Sequence, residues 1–219
     1  MSNDLPYEEL FKSANSAARH YWSLGSDPIP YSSYQENSLV SRKTPFKWTP
    51  EEIDRNFGAV ENVALALGER SGNLIDIDFH WWEAADMAFD RLEGLPIFGR
   101  KSSPICHRFA RGKLPRGIVQ FKIPDNATHL FDAESSIVLE LKGDGHQTMV
   151  PPSVHLSGEI IKWWPECCAP EKADEIPDVD VQELIEDAGL FAALAVITRA
   201  YSNSSKNRDD VCTAITATL

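Results

Sequence analysis

Apolar residues recur at helical spacing through residues 5–25, LPYEELFKSANSAARHYWSLG, and predict one helix that stops near Gly25. The following stretch, SDPIPYSSYQENSLVSRKTPFKW, is crowded with turn formers and reads as loop. In TPEEIDRNF, Thr49 is the predicted N-cap of a second helix, with Pro50 in the first turn and Glu52 three residues beyond the cap. VENVALALG and NLIDIDF predict two successive strands joined by a turn at Glu69–Gly72. HWWEAADMAFDRLEG predicts a helix ending at Gly94. GIVQFKI alternates as a strand, and SSIVLELKG and QTMVPP read as the two arms of a hairpin over GDGH.

Mixed strands and helices in this order predict an α/β domain over residues 1–165. Residues 166–180 are acidic and proline-rich and read as a linker. Residues 181–219 read as helical, VQELIEDAGLFAALAVITRAYSN first and NRDDVCTAITATL after it. No apolar run approaches the roughly 20 residues of a membrane helix, and the acidic N-terminus lacks the apolar core of a signal peptide. The expectation is a cytoplasmic protein with no membrane partner, the chain being a piece of something longer.

The strand NLIDIDF contains two carboxylates where an uncompensated buried charge would cost several kcal/mol. Residues two apart on a strand face the same way, about 7 Å apart. Asp76 and Asp78 therefore share one face while Ile75, Ile77 and Phe79 anchor the other, so neither carboxylate is expected to be buried. Like charges this close favour a divalent cation, and magnesium or manganese takes oxygen ligands. In IVLELKGDG, Glu140 leaves the apolar face of its strand in the same manner. If the two strands are neighbours, Asp76, Asp78 and Glu140 form a three-carboxylate site able to hold two ions.

Charge first argues against a nucleic-acid partner, because the net value is −12. Residues 100–122, RKSSPICHRFARGKLPRGIVQFK, nevertheless carry seven Lys and Arg and no acid. Such a local field can bind phosphate, although a solvated loop and hairpin face would look the same. Cys106, Cys167, Cys168 and Cys212 form neither a CxxC pair nor an even framework. Cys167 and Cys168 with His155 would lack a second ligand pair, so zinc is not expected.

LIDIDFHWWEA, FGRKSSPICHRF and LELKGDGHQTMVPPSVHLSGE resemble, in order and spacing, the primase–polymerase domain of the archaeo-eukaryotic primase superfamily, found in plasmid and phage replication proteins. KTPFKW and NVALALGERSGNLIDID resemble its N-terminal part, so that the likeness covers residues 40–165. It implies an α+β catalytic core with an RRM-like mixed sheet flanked by helices. It places the catalytic metals, Mg2+ or Mn2+, on Asp76, Asp78 and Glu140, the last being more often aspartate in the family. It also places a triphosphate-contacting histidine at His107, where Ile105 and Cys106 stand in place of the family's small residue.

Arg100, Lys101, Ser103, Lys142, Gln147, Ser153 and His155 are the accompanying candidates for nucleotide binding, since a triphosphate needs donors as well as metals. Residues 190–219 resemble the helical module that joins such domains to a helicase, which makes a helicase an expected partner or neighbour. The implied activity is template-dependent nucleotidyl transfer on single-stranded or primed DNA, using dNTPs or NTPs. A metal-dependent nuclease and a non-catalytic single-strand-binding module are the competing readings. His80, Trp81 and Trp82 are open to base stacking or to packing of a helix start.

Overall fold

The computed structural model describes residues 7–31, 48–58, 60 and 62–203. The first expected helix is two: α1 (Tyr7–Leu10) and α2 (Ala14–Ser23), divided where Ser13 forms a capping box with Ser16. The α2 helix ends as expected, with Gly25 at φ +78° beyond its last turn. The α3 helix (Pro50–Phe57) starts as read, with Thr49 and Glu52 capping each other's backbone amides. The segment before it contains a strand that the sequence reading took for loop, β1 (Asp27–Tyr31).

Five further strands follow the predicted order: β2 (Asn62–Ala66), β3 (Leu74–Phe79), β6 (Ile118–Lys122), β7 (Ile137–Lys142) and β8 (Gln147–Val150). Between them lie two elements of the basic stretch, β4 (Ile97–Arg100) and β5 (Ser103–Arg111). A short β9 (Ile161–Trp163) comes later. The α4 helix is shorter than predicted (Trp82–Met87), and α5 spans Val181–Asn203. The segment expected to be helical at 207–219 lies outside the described residues.

The strands form a three-stranded sheet, β1-β2-β8, and a six-stranded sheet, β6-β7-β3-β5-β4-β9. The expected α+β class with helix-flanked sheets is present. Every named pair is antiparallel, and parallel pairing among the described residues is limited to a bridge between Arg111 and Asp178. The β2 and β3 strands are successive and joined by the expected turn, although they belong to different sheets. One predicted pairing, the β7–β8 hairpin, is not made, because the chain changes sheets at GDGH. That loop docks on the β2–β3 turn, where Asp144 accepts the amide of Glu69 at 2.6 Å.

Each face of the six-stranded sheet has its own core. Ile75, Ile77, Phe79, Leu139 and Leu141 pack with Ala84, Leu184, Phe191 and Ala195 under α4 and α5. On the opposite face Leu74, Phe98, Phe109 and Trp163 pack with Tyr21, Ile53, Phe57 and Leu65 under α2, α3 and the small sheet. The second layer covers only part of its face, and the remaining polar part of β3, β5 and β7 lines a cleft of about 640 Å3. Residues 166–180 run over the sheet surface: Ile176 is buried, and Arg111 exchanges backbone hydrogen bonds with Pro177 and Val179. No helix of the described residues is long and apolar enough to cross a membrane.

Candidate active site

The β3 strand is central. It pairs with β5 so that Asp78 lies opposite His107, and with β7 so that Asp78 lies opposite Glu140 and Asp76 opposite Lys142. Directly opposed residues share a face. Antiparallel register alone therefore gathers three carboxylates, a histidine and a lysine into one patch.

The expectation that the carboxylates escape burial needs correction for Asp76, which has no exposed surface. Removal from water is tolerated because two cationic side chains meet it. His107 Nδ1 is 3.1 Å from Asp76 Oδ1, and Lys142 Nζ is 3.5 Å from Asp76 Oδ2. Burial works to raise the pKa of Asp76, yet the charges of His107 and Lys142 and hydrogen bonds from His107 and Thr148 hold it below the usual carboxylate range. Burial likewise opposes protonation of His107, and the charges of Asp78 and Asp76 overcome it, lifting its pKa well above the ordinary imidazole value. The two carboxylates thus favour the protonated form of His107. Its ring is held flat against Phe98, with centroids 4.8 Å apart and planes 8° from parallel.

Lys142 Nζ stands 2.6 Å from Asp78 Oδ2 and 3.6 Å from Glu140 Oε1 as well. Glu140 is held on its other oxygen by Gln120 Nε2 at 2.8 Å. Burial raises its pKa, but hydrogen bonds from His80 and Gln120 and the charge of Lys142 bring it below the ordinary value. The three acids thus point at a common centre that already attracts an ammonium group. Two overlapping donor sets could each hold a metal ion: Asp76, Asp78 and His107, and Asp78, His80 and Glu140. The carboxylate oxygens suit the magnesium or manganese expected from the sequence, and the one nitrogen in each set is the better matched to manganese.

The remaining candidates are distributed unevenly. Arg100, Ser103, Gln147 and His155 line the same cleft. Arg100 is aimed there by a register shift between Phe98 and Arg100, at Gly99, where a Cβ would lie 2.2 Å from the carbonyl oxygen of Ser103. Its Nε is 3.5 Å from Glu159 Oε2. Gln147 has a buried Oε1 with no hydrogen-bond partner. Lys101 lies exposed in the turn between β4 and β5. Ser153 is fully buried, and its hydroxyl both donates to and accepts from the backbone of Val63 at 2.9 Å. His155 accepts the amide of Ser157 on Nδ1 at 3.1 Å.

The seven bases of residues 100–122 do not form one surface. Arg108 is buried beneath α4 and donates to the carbonyl of Leu92 at 2.8 Å, with burial alone pushing its pKa down to about 10. Arg111 is tied to the carbonyls of Ser71 and Gly72. Alternation within a strand explains why neighbouring residues such as His107 and Arg108 go to opposite sides of the sheet.

Several residues at the site were not singled out from the sequence for these roles. His80, which extends the alternation of Asp76 and Asp78 by one more step, carries the one signal that could have revealed it. Gln120, Thr148 and Arg199 carried none, since tertiary packing alone brings Gln120 to Glu140 and the other two to the cleft. Arg199 on α5 lies 4.0 Å over the ring of Trp81 and pairs with Glu83. Trp81 is buried, with its indole donating to the Ser135 carbonyl, and Trp82 is exposed.

A comparison with curated proteins finds no match to the chain. A family model described as bifunctional DNA primase/polymerase, N-terminal, matches residues 18–179, a span that includes both sheets and every side chain of the carboxylate patch. The chain belongs to the bifunctional DNA primase/polymerase N-terminal family.

Proposed function

We propose that the protein is a template-dependent DNA primase–polymerase serving replication of a plasmid or phage, with its catalytic groups in the cleft between β3, β5 and β7. The family is metal-dependent and implies DNA and nucleotide substrates. The observation that carries the reading is the register placing Asp76, Asp78 and Glu140 side by side, with His107 beside them.

Asp76, Asp78 and Glu140 would hold the divalent ions, Mg2+ or Mn2+, which supply activation of an attacking 3′-hydroxyl and neutralisation of the departing pyrophosphate. The protein's own groups do the positioning. His107, fixed by Asp76 and Phe98, presents a positive donor to the triphosphate. Lys142 shares its charge between the carboxylates and the incoming phosphates, and Arg100, Ser103 and His155 extend the donor wall. Lys101, at the exposed turn, is placed to meet DNA or the outer phosphates. The unpartnered Oε1 of Gln147 is an acceptor available to a nucleotide donor group. Ser153 contributes by pinning β2 to the segment that carries His155.

Because Asp76 is buried between cations, its removal would leave charge uncompensated at a cost of about 3–5 kcal/mol. Asp78→Asn and Glu140→Gln are the cleaner variants. Each should reduce primer extension with Mg2+ or Mn2+ and dNTPs or NTPs to the level of a reaction without enzyme, while the melting temperature stays near that of the parent chain. Extension retained in both variants would overturn the assignment. Strand cleavage without nucleotides would indicate the nuclease, and DNA binding indifferent to metal and nucleotide would indicate a binding module.

A further inference from the structure

We infer that His80 is a nitrogen ligand of the cation shared by Asp78 and Glu140, which makes that position favour Mn2+ over Mg2+. The inference rests on the metal-site reading above and adds a residue to it. Asp76, Asp78 and His80 follow one another at every second position. Although β3 ends at Phe79, the amides of His80 and Trp81 both donate to the carbonyl of Val138, at 3.0 and 3.1 Å. The chain bends there, and the imidazole still falls on the carboxylate face, beside Asp78 and Glu140.

There its Nε2 is 3.4 Å from Glu140 Oε1 and 3.7 Å from Asp78 Oδ2. Both separations are long for a charge-assisted hydrogen bond, which is usually about 2.7–2.9 Å. Neighbouring ligands around an octahedral ion with bonds of about 2.1 Å lie ~3 Å apart, so less than about 1 Å of closure would bring Nε2 to ligand spacing from both oxygens, and the three donor atoms already lie within 4.8 Å of one another. Gln120 holds Oε2 of Glu140 and so leaves Oε1 turned toward His80, an outer-shell arrangement that fixes a ligand's direction. His80 is about a third exposed at the cleft, with room to take up the small shift.

His107 belongs to the other donor set, with Asp76, and its Nδ1 is already engaged there. An imidazole donor disfavours magnesium, which prefers hard oxygen ligands, relative to a transition ion. The chemistry of the site would then differ from one built of carboxylates alone.

The test uses the full chain freed of metal by a chelator and then titrated with Mn2+. Electron paramagnetic resonance counts the bound ion, and electron spin-echo modulation reports any coordinated imidazole nitrogen. Bound Mn2+ should show nitrogen coupling in the parent protein and in His107→Gln, and none in His80→Gln or His80→Asn. Mn2+ affinity should drop about tenfold in both His80 variants, with a smaller change for competing Mg2+. Melting temperatures measured in chelator establish that the variants compared are folded, and two substitutions keep the test intact if one of them is not.

Nitrogen coupling that persists in a folded His80 variant, or that vanishes only in His107→Gln, overturns the inference. So does a parent protein that binds Mn2+ without nitrogen coupling, an outcome that leaves the carboxylate site standing. A parent protein that binds no Mn2+ overturns the metal-site reading itself, and the inference with it.

Discussion

Two histidines, one half-buried at the cleft and one buried, show how neighbours decide what one residue type does. His107 faces Asp76 and Asp78, whose charges raise its pKa well above the ordinary value. His20, on α2, is buried with its Nε2 2.8 Å from the carbonyl oxygen of Pro170. Burial lowers its pKa below the ordinary 6.5, with the hydrogen bond to Pro170 and the charges of Glu171 and Glu175 acting only partly against it. The unfolded chain therefore binds a proton more readily at His20 than the folded one does. Stability from the neutral ring is complete above about pH 6.5 and is lost as pH falls through the lower folded value. Melting curves between about pH 7 and pH 5 should show a steeper fall in melting temperature for the parent chain than for His20→Gln. Equal slopes would assign acid sensitivity to other groups. Of the two, only the setting of His107 was approached from the sequence, through its resemblance to a family motif, because His20 meets a partner 150 residues away.

Among the elements, those with a complete local signal match the structure most closely. The α3 helix has Thr49, Pro50 and Glu52 in the right order, and all the groups concerned lie within one turn. Thr49→Ala should lower stability by about 1 kcal/mol, measured by denaturant unfolding, and should leave primer extension unchanged. Elements whose stability depends on distant partners were missed. The β1 strand carries Pro28 and Pro30, which count against a strand, yet it is an edge strand with one side free of ladder bonds. The β4 and β9 strands are short, and β4 contains Gly99, whose missing side chain permits the close approach of β5. The predicted β7–β8 hairpin failed for a related reason. Loop length permits a hairpin, but Leu65 and Val63 of β2 give β8 a better apolar partner in the other sheet.

At the scale of the molecule, α5 closes the core beneath the six-stranded sheet. Phe191 packs with Leu184, Ala188 and Ala195 among the side chains of the strands that carry the carboxylates on their other face. Phe191→Ala should cost about 3–5 kcal/mol in denaturant unfolding, and activity should be lost with folding rather than ahead of it. A near-neutral result would show that α5 is dispensable to the sheet. Net charge of −12 coexists with a cleft that holds His107, Lys142, Arg100 and His155, since summed charge says little about a local field. The sequence by itself determined the alternation that sends Asp76 and Asp78 to one side of a strand and Ile75 and Ile77 to the other, because side-chain direction in a strand follows from backbone pleating alone. Only the tertiary structure decided that Asp76 is buried, that Lys142 and His107 compensate it, and that His80 and Gln120 flank Glu140. Those relations depend on which strands become neighbours and in what register, and that choice is made by two apolar cores assembled from residues far apart in the chain.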